Sequence, residues 1–201
     1  MTLVKAVIFD LGRVLVHYDH QAMLAAVAAV SRMTTADLHA LLIEVEENLG
    51  LGHWSTADLH RFLIEQAGTT TDEDQFLQAY AAGIGRDEAA LAYALALQTR
   101  PNTTVGVISN TNEAHVQWLD DAVPELKAFD LVMMSNEVGL LKPDPAIFTL
   151  ALELLGVEAA QAIFVDDNAA NGAAAQALGI TAILHTDWAV TRPQVEAWLG
   201  Q

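Results

Sequence analysis

Val7-Ile8-Phe9-Asp10 decides the fold, because an apolar, β-rich run that ends in a polar residue is typical of a buried parallel strand. The pattern returns at Val107-Ile108-Ser109-Asn110 and at Ile163-Phe164-Val165-Asp166-Asp167, and Leu141-Lys142-Pro143 adds a basic residue between them. Parallel strands deliver such residues to the carboxyl edge of an open sheet, where ligands bind in α/β folds. One crevice is therefore expected to contain Asp10, Ser109, Lys142, Asp166 and Asp167.

The chemistry of these side chains is specific. Asp10 offers a carboxylate nucleophile, Ser109 and Asn110 offer hydroxyl and amide donors, and Lys142 offers a fixed cation. The adjacent acids Asp166 and Asp167 would add hard oxygen ligands for a divalent ion such as Mg²⁺. Such a set is suited to phosphoryl transfer through an aspartyl-phosphate intermediate.

Outward from these motifs, hydrophobic periodicity predicts the remaining elements of an α/β fold. The predicted strands are 4–10, 103–109, 131–134, 163–165 and 180–184. The predicted helices are one capped by Asp87 that runs through Leu97, one over 145–155 and one over 171–178. We expect a Rossmann-like three-layer α/β/α core with a parallel sheet.

The segment from Asp19 to about Gly85 has helical spacing throughout, with N-caps expected at Thr35 and Ser55. It is too long for a single crossover between strands, so it predicts a helical cap inserted after the first strand. The core would then comprise residues 1–18 and 86–201, and the cap residues 19–85. Residues 13–18 would form a short hairpin or flap beside the first strand.

Composition limits the partners and the compartment. The chain has 201 residues, 53% of them hydrophobic, which suits one domain with a modest insertion. A formal net charge of −17 with only nine Lys and Arg residues opposes binding to nucleic acid or to an anionic membrane. No apolar run approaches the roughly 18 residues of a membrane span, and there is no cysteine. We expect a cytoplasmic protein whose partner is a small phosphate ester.

Four segments resemble, in order, the four motifs of the haloacid dehalogenase-like (HAD) hydrolases. These segments are Phe9 to Leu15, Ile108 to Asn112, Leu141 to Phe148 and Phe164 to Asn168. The resemblance covers essentially the whole chain, including a helical cap inserted just after the first motif. Within this superfamily the chain is most similar to the small bacterial phosphatases that act on sugar phosphates such as α-glucose 1-phosphate, whose first motif also reads Asp-Leu-Gly.

The resemblance implies a Mg²⁺-dependent phosphomonoester hydrolase and gives each motif residue a role. Asp10 would attack phosphorus, and Lys142 would offset charge on the phosphate and on the nucleophile. Asp167 would be a direct Mg²⁺ ligand, with Asp166 in or just outside the first coordination shell. The expected groups are catalytic, Asp10 and Lys142; substrate-binding, Ser109, Asn110, Arg13 and Lys142; and metal-binding, Asp10, Gly12, Asp166 and Asp167.

Gly12 departs from the common pattern of the family. Most HAD phosphatases have a second aspartate at this position, which serves as the general acid for the leaving group and then as the base for water. The family's metal ligand there is a backbone carbonyl, which glycine keeps. Either the substrate's leaving group needs little protonation, or His17, Asp19 or a cap residue replaces the acid, or the protein binds phosphate esters with little turnover.

His115 is expected to lie on a helix surface or to cap a helix.

Three rival readings use similar residues. A 2-haloacid dehalogenase would also use an aspartate nucleophile but needs no Mg²⁺, so Asp166 and Asp167 would be idle. A phosphorylation-receiver domain has the same groups, but its acidic pair precedes the phosphorylated aspartate, whereas here the pair follows Asp10. A phosphometabolite-binding protein with little activity is suggested by Gly12.

Overall fold

The computed structural model describes residues 4–200 and contains a five-stranded parallel sheet with the strand order β5-β4-β1-β6-β7. The strands are β1 (Lys5–Phe9), β2 (Val16–Tyr18), β3 (Ile84–Arg86), β4 (Thr103–Ser109), β5 (Leu131–Met134), β6 (Ala162–Asp166) and β7 (Thr181–Leu184). Each of the five predicted strands is present, with bounds shifted by at most one residue. The predicted α/β fold class with a parallel sheet is confirmed.

Helices cover both faces of this sheet. They are α1 (His20–Ala29), α2 (Thr35–Ile43), α3 (Glu46–Gly50), α4 (Thr56–Ala67), α5 (Glu73–Tyr80), α6 (Glu88–Gln98), α7 (Glu113–Ala122), α8 (Ser135–Val138), α9 (Pro145–Leu155), α10 (Ala169–Ala177) and α11 (Trp188–Leu199). Short 3₁₀ helices cover Pro124–Ala128 and Ala159–Gln161. Between residues 4 and 200, no helix combines the length and the apolar content needed to cross a membrane.

Side chains of β1 alternate between the two layers of helices, as the pleat of a strand requires. Val7 and Phe9 pack with residues of α6, α7 and α11, whereas Ala6 and Ile8 pack with residues of α9 and α10. All four of these side chains are fully buried. The strand is therefore apolar throughout, because neither of its faces meets water.

Helices α1 to α5 lie between β2 and β3 in the chain and share an apolar cluster of their own. Strands β2 and β3 pair antiparallel, with His17 opposite Gly85, so the chain enters and leaves this helical segment through one two-stranded ribbon. The flap expected at 13–18 therefore pairs with a distant segment. We retain the division into a core (1–18 and 86–201) and a cap (19–85) as a proposal; residues 1–3 and 201 lie outside the described residues.

Two of the three predicted N-caps are present and one is displaced. Ser55 caps α4 in a capping box with Asp58, and Asp87 caps α6. The prediction for Thr35 is wrong: Thr34 caps α2, because its hydroxyl accepts the backbone N–H of Asp37, three residues later. Asp37 is thus at the N3 position of the helix, the position of the acid in a capping box.

Candidate active site

Lys142 lies between two carboxylates at the carboxyl edge of the sheet. Its Nζ donates to Asp10 Oδ1 at 2.7 Å and to Asp166 Oδ2 at 2.8 Å. The Lys142 side chain is only 1% exposed. A buried ammonium is stable only when it is paired and hydrogen-bonded, so these two acids are what allow a charged lysine at this depth.

The register of the sheet places these residues together. Phe9 lies opposite Val165 in the pairing of β1 with β6, so Asp10 and Asp166 follow at the same level. The backbone N–H of Asp10 donates to the Val165 carbonyl at 2.8 Å, which fixes the first carboxylate beside the second strand. The acids and the lysine therefore lie together at the carboxyl edge of the sheet, as the sequence predicts.

Asp166 is fully engaged with its neighbours. It accepts hydrogen bonds from the Asn168 backbone N–H at 2.7 Å and from Asn171 Nδ2 at 3.0 Å, besides the bond from Lys142. Asn168, and neither of the acids before it, caps α10. These bonds fix the Asp166 carboxylate and, through it, the position of the lysine.

A divalent cation has a suitable set of donors here. Carboxylate oxygens of Asp10, Asp166 and Asp167 all lie within 4.8 Å of one another. Asp167 is the most accessible of the three, with 23% of its side chain exposed, and Arg13 Nη1 donates to it at 3.1 Å. Hard, anionic oxygens at this spacing suit Mg²⁺ better than any softer ion, so the residues present fit the predicted metal.

The ionisation of Asp10 depends on this surrounding charge. Burial raises the pKa of the Asp10 carboxyl to about 6; Lys142 opposes that rise and Asp166 adds to it. A second positive charge near Asp10 would lower the pKa again. A cation bound by the three acids would therefore keep the carboxylate ionised and able to act as a nucleophile at neutral pH.

Ser109 and Asn110 follow one another at the end of β4, and both line the cavity. The Asn110 side chain brackets the backbone of Lys142: Nδ2 donates to the Lys142 carbonyl and Oδ1 accepts the Lys142 N–H, each at 2.8 Å. Asn110 thus holds the lysine loop against the sheet, a positioning role that the sequence did not predict. Phosphate binding by Ser109 and Asn110 stays a prediction.

The loop after β1 contributes Gly12 and Arg13 to the cavity. Arg13 has a positive φ of 61°, and its guanidinium lies 5.9 Å from the centre of the Tyr18 ring. This left-handed conformation is uncommon for a residue with a side chain, and here it occurs at the cavity mouth. The predicted substrate role of Arg13 is untested, although only one of its five N–H donors is engaged with Asp167.

Two of the three replacements considered for the missing acid, His17 and Asp19, lie outside the cavity. His17 is exposed on β2, and the Asp19 carboxylate caps α1 by accepting the backbone N–H groups of Gln21 and Ala22. Neither residue lines the cavity. Neither is therefore placed to replace the acid, and replacement by a cap residue, the third possibility, stays a prediction.

A wall of rings faces the sheet edge instead, across a cavity of about 690 Å³. Its rings belong to Tyr18, His20, His39, Tyr80 and His115. The prediction of a surface or capping role for His115 is wrong, because its ring stacks on Tyr80 with centroids 5.0 Å apart, while Asn112 caps the helix. Burial lowers the pKa of the His115 imidazole to about 4.

His20 joins two parts of this wall. Its Nδ1 lies 3.3 Å from the Tyr18 hydroxyl, and its ring meets the His39 ring edge-on at 5.1 Å between centroids. The His20 Nε2 is buried with no hydrogen-bond partner among residues 4–200. The sequence carries no signal for this group, since its five rings lie on five different elements and share no periodic pattern.

A family comparison covers most of the chain. Residues 4–179 match a family model described as a haloacid dehalogenase-like hydrolase. That span contains all four sequence segments that bear the resemblance, and with them Asp10, Lys142 and Asp167.

Curated relatives match over different lengths. The phosphoglycolate phosphatase of Rhodospirillum rubrum is 31% identical over 198 residues, which cover 90% of this chain and 78% of that protein. Acyl-CoA dehydrogenase family member 10 of Mus musculus is 37% identical over 91 residues, which cover 45% of this chain. The chain spans only 8% to 26% of the length of that mouse protein and of two other relatives.

Solved structures share the fold. An HAD family enzyme from Bacteroides thetaiotaomicron, in complex with magnesium and inorganic phosphate, superimposes with a TM-score of 0.82 at 24% identity over 92% of this chain and 97% of that one. An HAD-like hydrolase from Porphyromonas gingivalis has a TM-score of 0.79 at 26% identity, over 96% of this chain and 98% of that one. Both likenesses extend over the sheet and the helical segment between β2 and β3.

Proposed function

The chain belongs to the haloacid dehalogenase-like hydrolases, and from that membership we propose that it is a Mg²⁺-dependent phosphomonoester hydrolase acting through an aspartyl-phosphate intermediate. One observation carries the proposal: Lys142 is held between Asp10 and Asp166 beside a third acid, Asp167. We call these four residues the floor of the cavity. A dehalogenase has no use for three converging carboxylates, whereas phosphoryl transfer uses both the cation and the metal ligands.

Each step follows from the groups at the floor. An oxygen of the Asp10 carboxylate attacks phosphorus, the ester P–O bond breaks, and the leaving group departs as an alkoxide that takes its proton from water. Water then attacks the acyl phosphate, which releases inorganic phosphate and restores the carboxylate. Lys142 lies against the attacking group and offsets charge that builds on the phosphoryl oxygens.

The other residues of the site would bind the phosphate group and the metal ion. Ser109 and Asn110 would donate to phosphoryl oxygens, and the Arg13 guanidinium, at the mouth of the cavity, would meet the outer side of the phosphate. Asp10, Asp167 and the Gly12 backbone carbonyl would hold Mg²⁺, with Asp166 beneath them in or just outside the first shell. When bound, the ion supplies positive charge next to the phosphate and to Asp10.

The substrate we propose is a small phosphometabolite such as a sugar phosphate. A cavity of about 690 Å³ accommodates an ester of this size beneath the helical cap, and the cap would exclude water and select the leaving group. The resemblance of the first motif to sugar-phosphate phosphatases supports this class. The name of the Rhodospirillum rubrum relative supports phosphatase chemistry on a smaller ester.

The test is release of phosphate from hexose 1-phosphates, hexose 6-phosphates and an aryl phosphate, with Mg²⁺ or with EDTA. We expect metal-dependent release that falls by about 10³-fold or more in Asp10→Asn, because the nucleophile is lost. Asp121→Asn, an exposed acid outside the cavity, is the matched control and should retain activity.

Two other outcomes would contradict the proposal. Ester binding without release, in protein that is folded by circular dichroism, would indicate a phosphometabolite-binding protein. No phosphate release combined with halide release from a 2-haloacid, unaffected by EDTA, would indicate a dehalogenase.

A further inference from the structure

Two acidic residues of the proposed cap line the cavity. Glu46 and Glu47 begin α3, and both are exposed to solvent. Neither takes part in an ion pair or a side-chain hydrogen bond within residues 4–200. Burial raises the pKa of the Tyr80 hydroxyl, and the Glu46 carboxylate acts in the same direction, so its negative charge reaches the ring wall.

No basic side chain of the cap balances these acids. Among the described residues, the Lys and Arg side chains that line the cavity are Arg13 and Lys142, and both are bonded to floor carboxylates. The cap itself has two arginines and no lysine. Arg61 pairs with Asp58 on the surface, and Arg32 lies against Gly68, so neither lines the cavity.

Two imidazoles of the wall, His20 and His115, do not supply the missing positive charge. Burial lowers the pKa of His20 and of His115, so both rings are neutral at pH 7. This part of the cavity is therefore negative at Glu46 and Glu47, beside the neutral rings of His20 and His115. A leaving group with its own carboxylate would be repelled there, whereas a hydroxyl or an ammonium group would find acceptors.

We propose that Glu46 and Glu47 determine the charge specificity of the enzyme: they select phosphate monoesters of uncharged or amine-bearing alcohols and reject esters of hydroxy acids. The proposal rests on the proposed phosphatase function and narrows its substrate class. It separates this chain from its Rhodospirillum rubrum relative, whose name specifies an anionic leaving group.

Three esters of similar size differ mainly in the charge at the far end of the leaving group. These are 2-phosphoglycolate (negative), 2-hydroxyethyl phosphate (neutral) and O-phosphoethanolamine (positive). We expect kcat/KM for the neutral and positive esters to exceed that for phosphoglycolate by about tenfold or more, the size of a charge interaction over several ångströms in a partly solvated site. Raising the salt to 1 M, where the Debye length is about 3 Å, should shrink the ratio.

The variant Glu46→Gln/Glu47→Gln should bring the three esters to within about threefold of one another, since it removes the two charges and keeps the shape. Glu44→Gln is the matched control, because this exposed acid lies just before α3 and does not line the cavity. Its ratio should equal that of the parent protein.

The outcomes separate this inference from the function beneath it. Equal or better use of phosphoglycolate by the parent protein would overturn the charge specificity while leaving the phosphatase intact. A ratio unchanged in the double variant would also overturn it, because the discrimination would then be one of shape. No phosphate release from these esters or from an aryl phosphate would overturn the proposed function itself.

Discussion

At the floor of the cavity the charged side chains are joined by hydrogen bonds, whereas on its wall the polar side chains pack against rings and apolar groups. Lys142, Asp10 and Asp166 are joined by bonds of 2.7 and 2.8 Å. On the wall, Tyr18 and His20 make one bond of 3.3 Å, and Glu46 makes none within residues 4–200. The floor residues lie at the ends of β1 and β6 and in the loop before α9, whereas the wall residues lie on separate helices and on the two-stranded ribbon.

Under the proposed function, the difference corresponds to two tasks. A nucleophile and the charge that stabilises its transition state must be held within about 0.5 Å, which fixed strand ends achieve. Recognition of a leaving group depends more on charge and shape, and it tolerates side chains that move. Changes at the floor should therefore alter both turnover and stability, and changes on the wall should alter selectivity or pH dependence.

Replacement of Lys142 by methionine is the strongest way to break the floor. The change leaves Asp10 and Asp166 facing each other without a cation, and unfolding free energy in EDTA should fall by about 3–5 kcal/mol. Phosphate release should fall by roughly 10²–10³-fold. Chemical denaturation and steady-state rates measure the two effects.

Comparing the stability loss with and without Mg²⁺ makes this test more specific, because an ion bound by the three acids would replace part of the lost charge. The stability loss of Lys142→Met should be smaller in Mg²⁺ than in EDTA. Lys127→Met, at an exposed lysine far from the cavity, is the control and should change neither quantity. A Lys142 variant as stable as the parent in EDTA would show that the buried ion pairs do not hold the floor.

His115→Phe tests the wall through pH. Burial lowers the pKa of this imidazole from 6.5 to about 4, so the folded state takes up its proton less readily than the unfolded state does. Its contribution to stability is present above pH 6.5 and is lost as the pH falls toward 4, by about 3 kcal/mol in all. The phenylalanine ring retains the stacking on Tyr80 but has no proton to bind.

Unfolding free energy should therefore decline less steeply between pH 6.5 and 4 in His115→Phe than in the parent. His53→Gln, at an exposed histidine outside the cavity, should leave the slope as it was. Parallel slopes for parent and His115→Phe would mean that the wall is open to water at this ring. Phosphate release at pH 7 should change far less than in the lysine variant.

The sequence predicted the floor well because local patterns encode it. The bounds of β4 (Thr103–Ser109) and α9 (Pro145–Leu155) agree residue for residue with the prediction. A β-branched run ending at Ser109 identifies the strand, and Pro145 at the first turn with Gly156 just beyond the last fixes the helix. Asp10, Ser109, Asp166 and Asp167 lie at the ends of such strands and Lys142 lies in the loop before α9, so their place at the sheet edge could be predicted from the sequence.

The wall could not be predicted in this way. Strands β2 and β3 have three residues each and pair across a long stretch of chain, so neither shows an alternating pattern long enough to read. His20 and His115 lie on helices from different parts of the chain, and the rings of both contact Tyr18, the last residue of β2 in the ribbon. Which helix face turns toward the sheet edge depends on how helices α1 to α5 pack, which residue periodicity alone does not determine.

Gly12→Asp adds a carboxylic acid next to the floor. It tests the proposal that the floor performs the chemistry and the wall recognises the leaving group. A Cβ built at Gly12 meets only the Tyr18 Cβ, at 3.9 Å, which is ordinary contact, so a side chain fits. In the parent, rates should fall as the pKa of the leaving alcohol rises. The new carboxylic acid should raise turnover of alkyl esters by about 10–100-fold, below the usual full worth of general acid catalysis, and should barely affect an aryl phosphate.

Gly12→Asn is the matched control for this gain, because its side chain has the same shape and no acidic proton. A gain in Asp but not in Asn would show that the native floor lacks a proton donor and that the parent depends on leaving groups that depart without one. Equal effects of both variants would make the change steric. Parent rates that do not differ between aryl and alkyl esters would mean that a group on the wall already protonates the leaving oxygen, and the separation of chemistry from recognition would then fail at that residue.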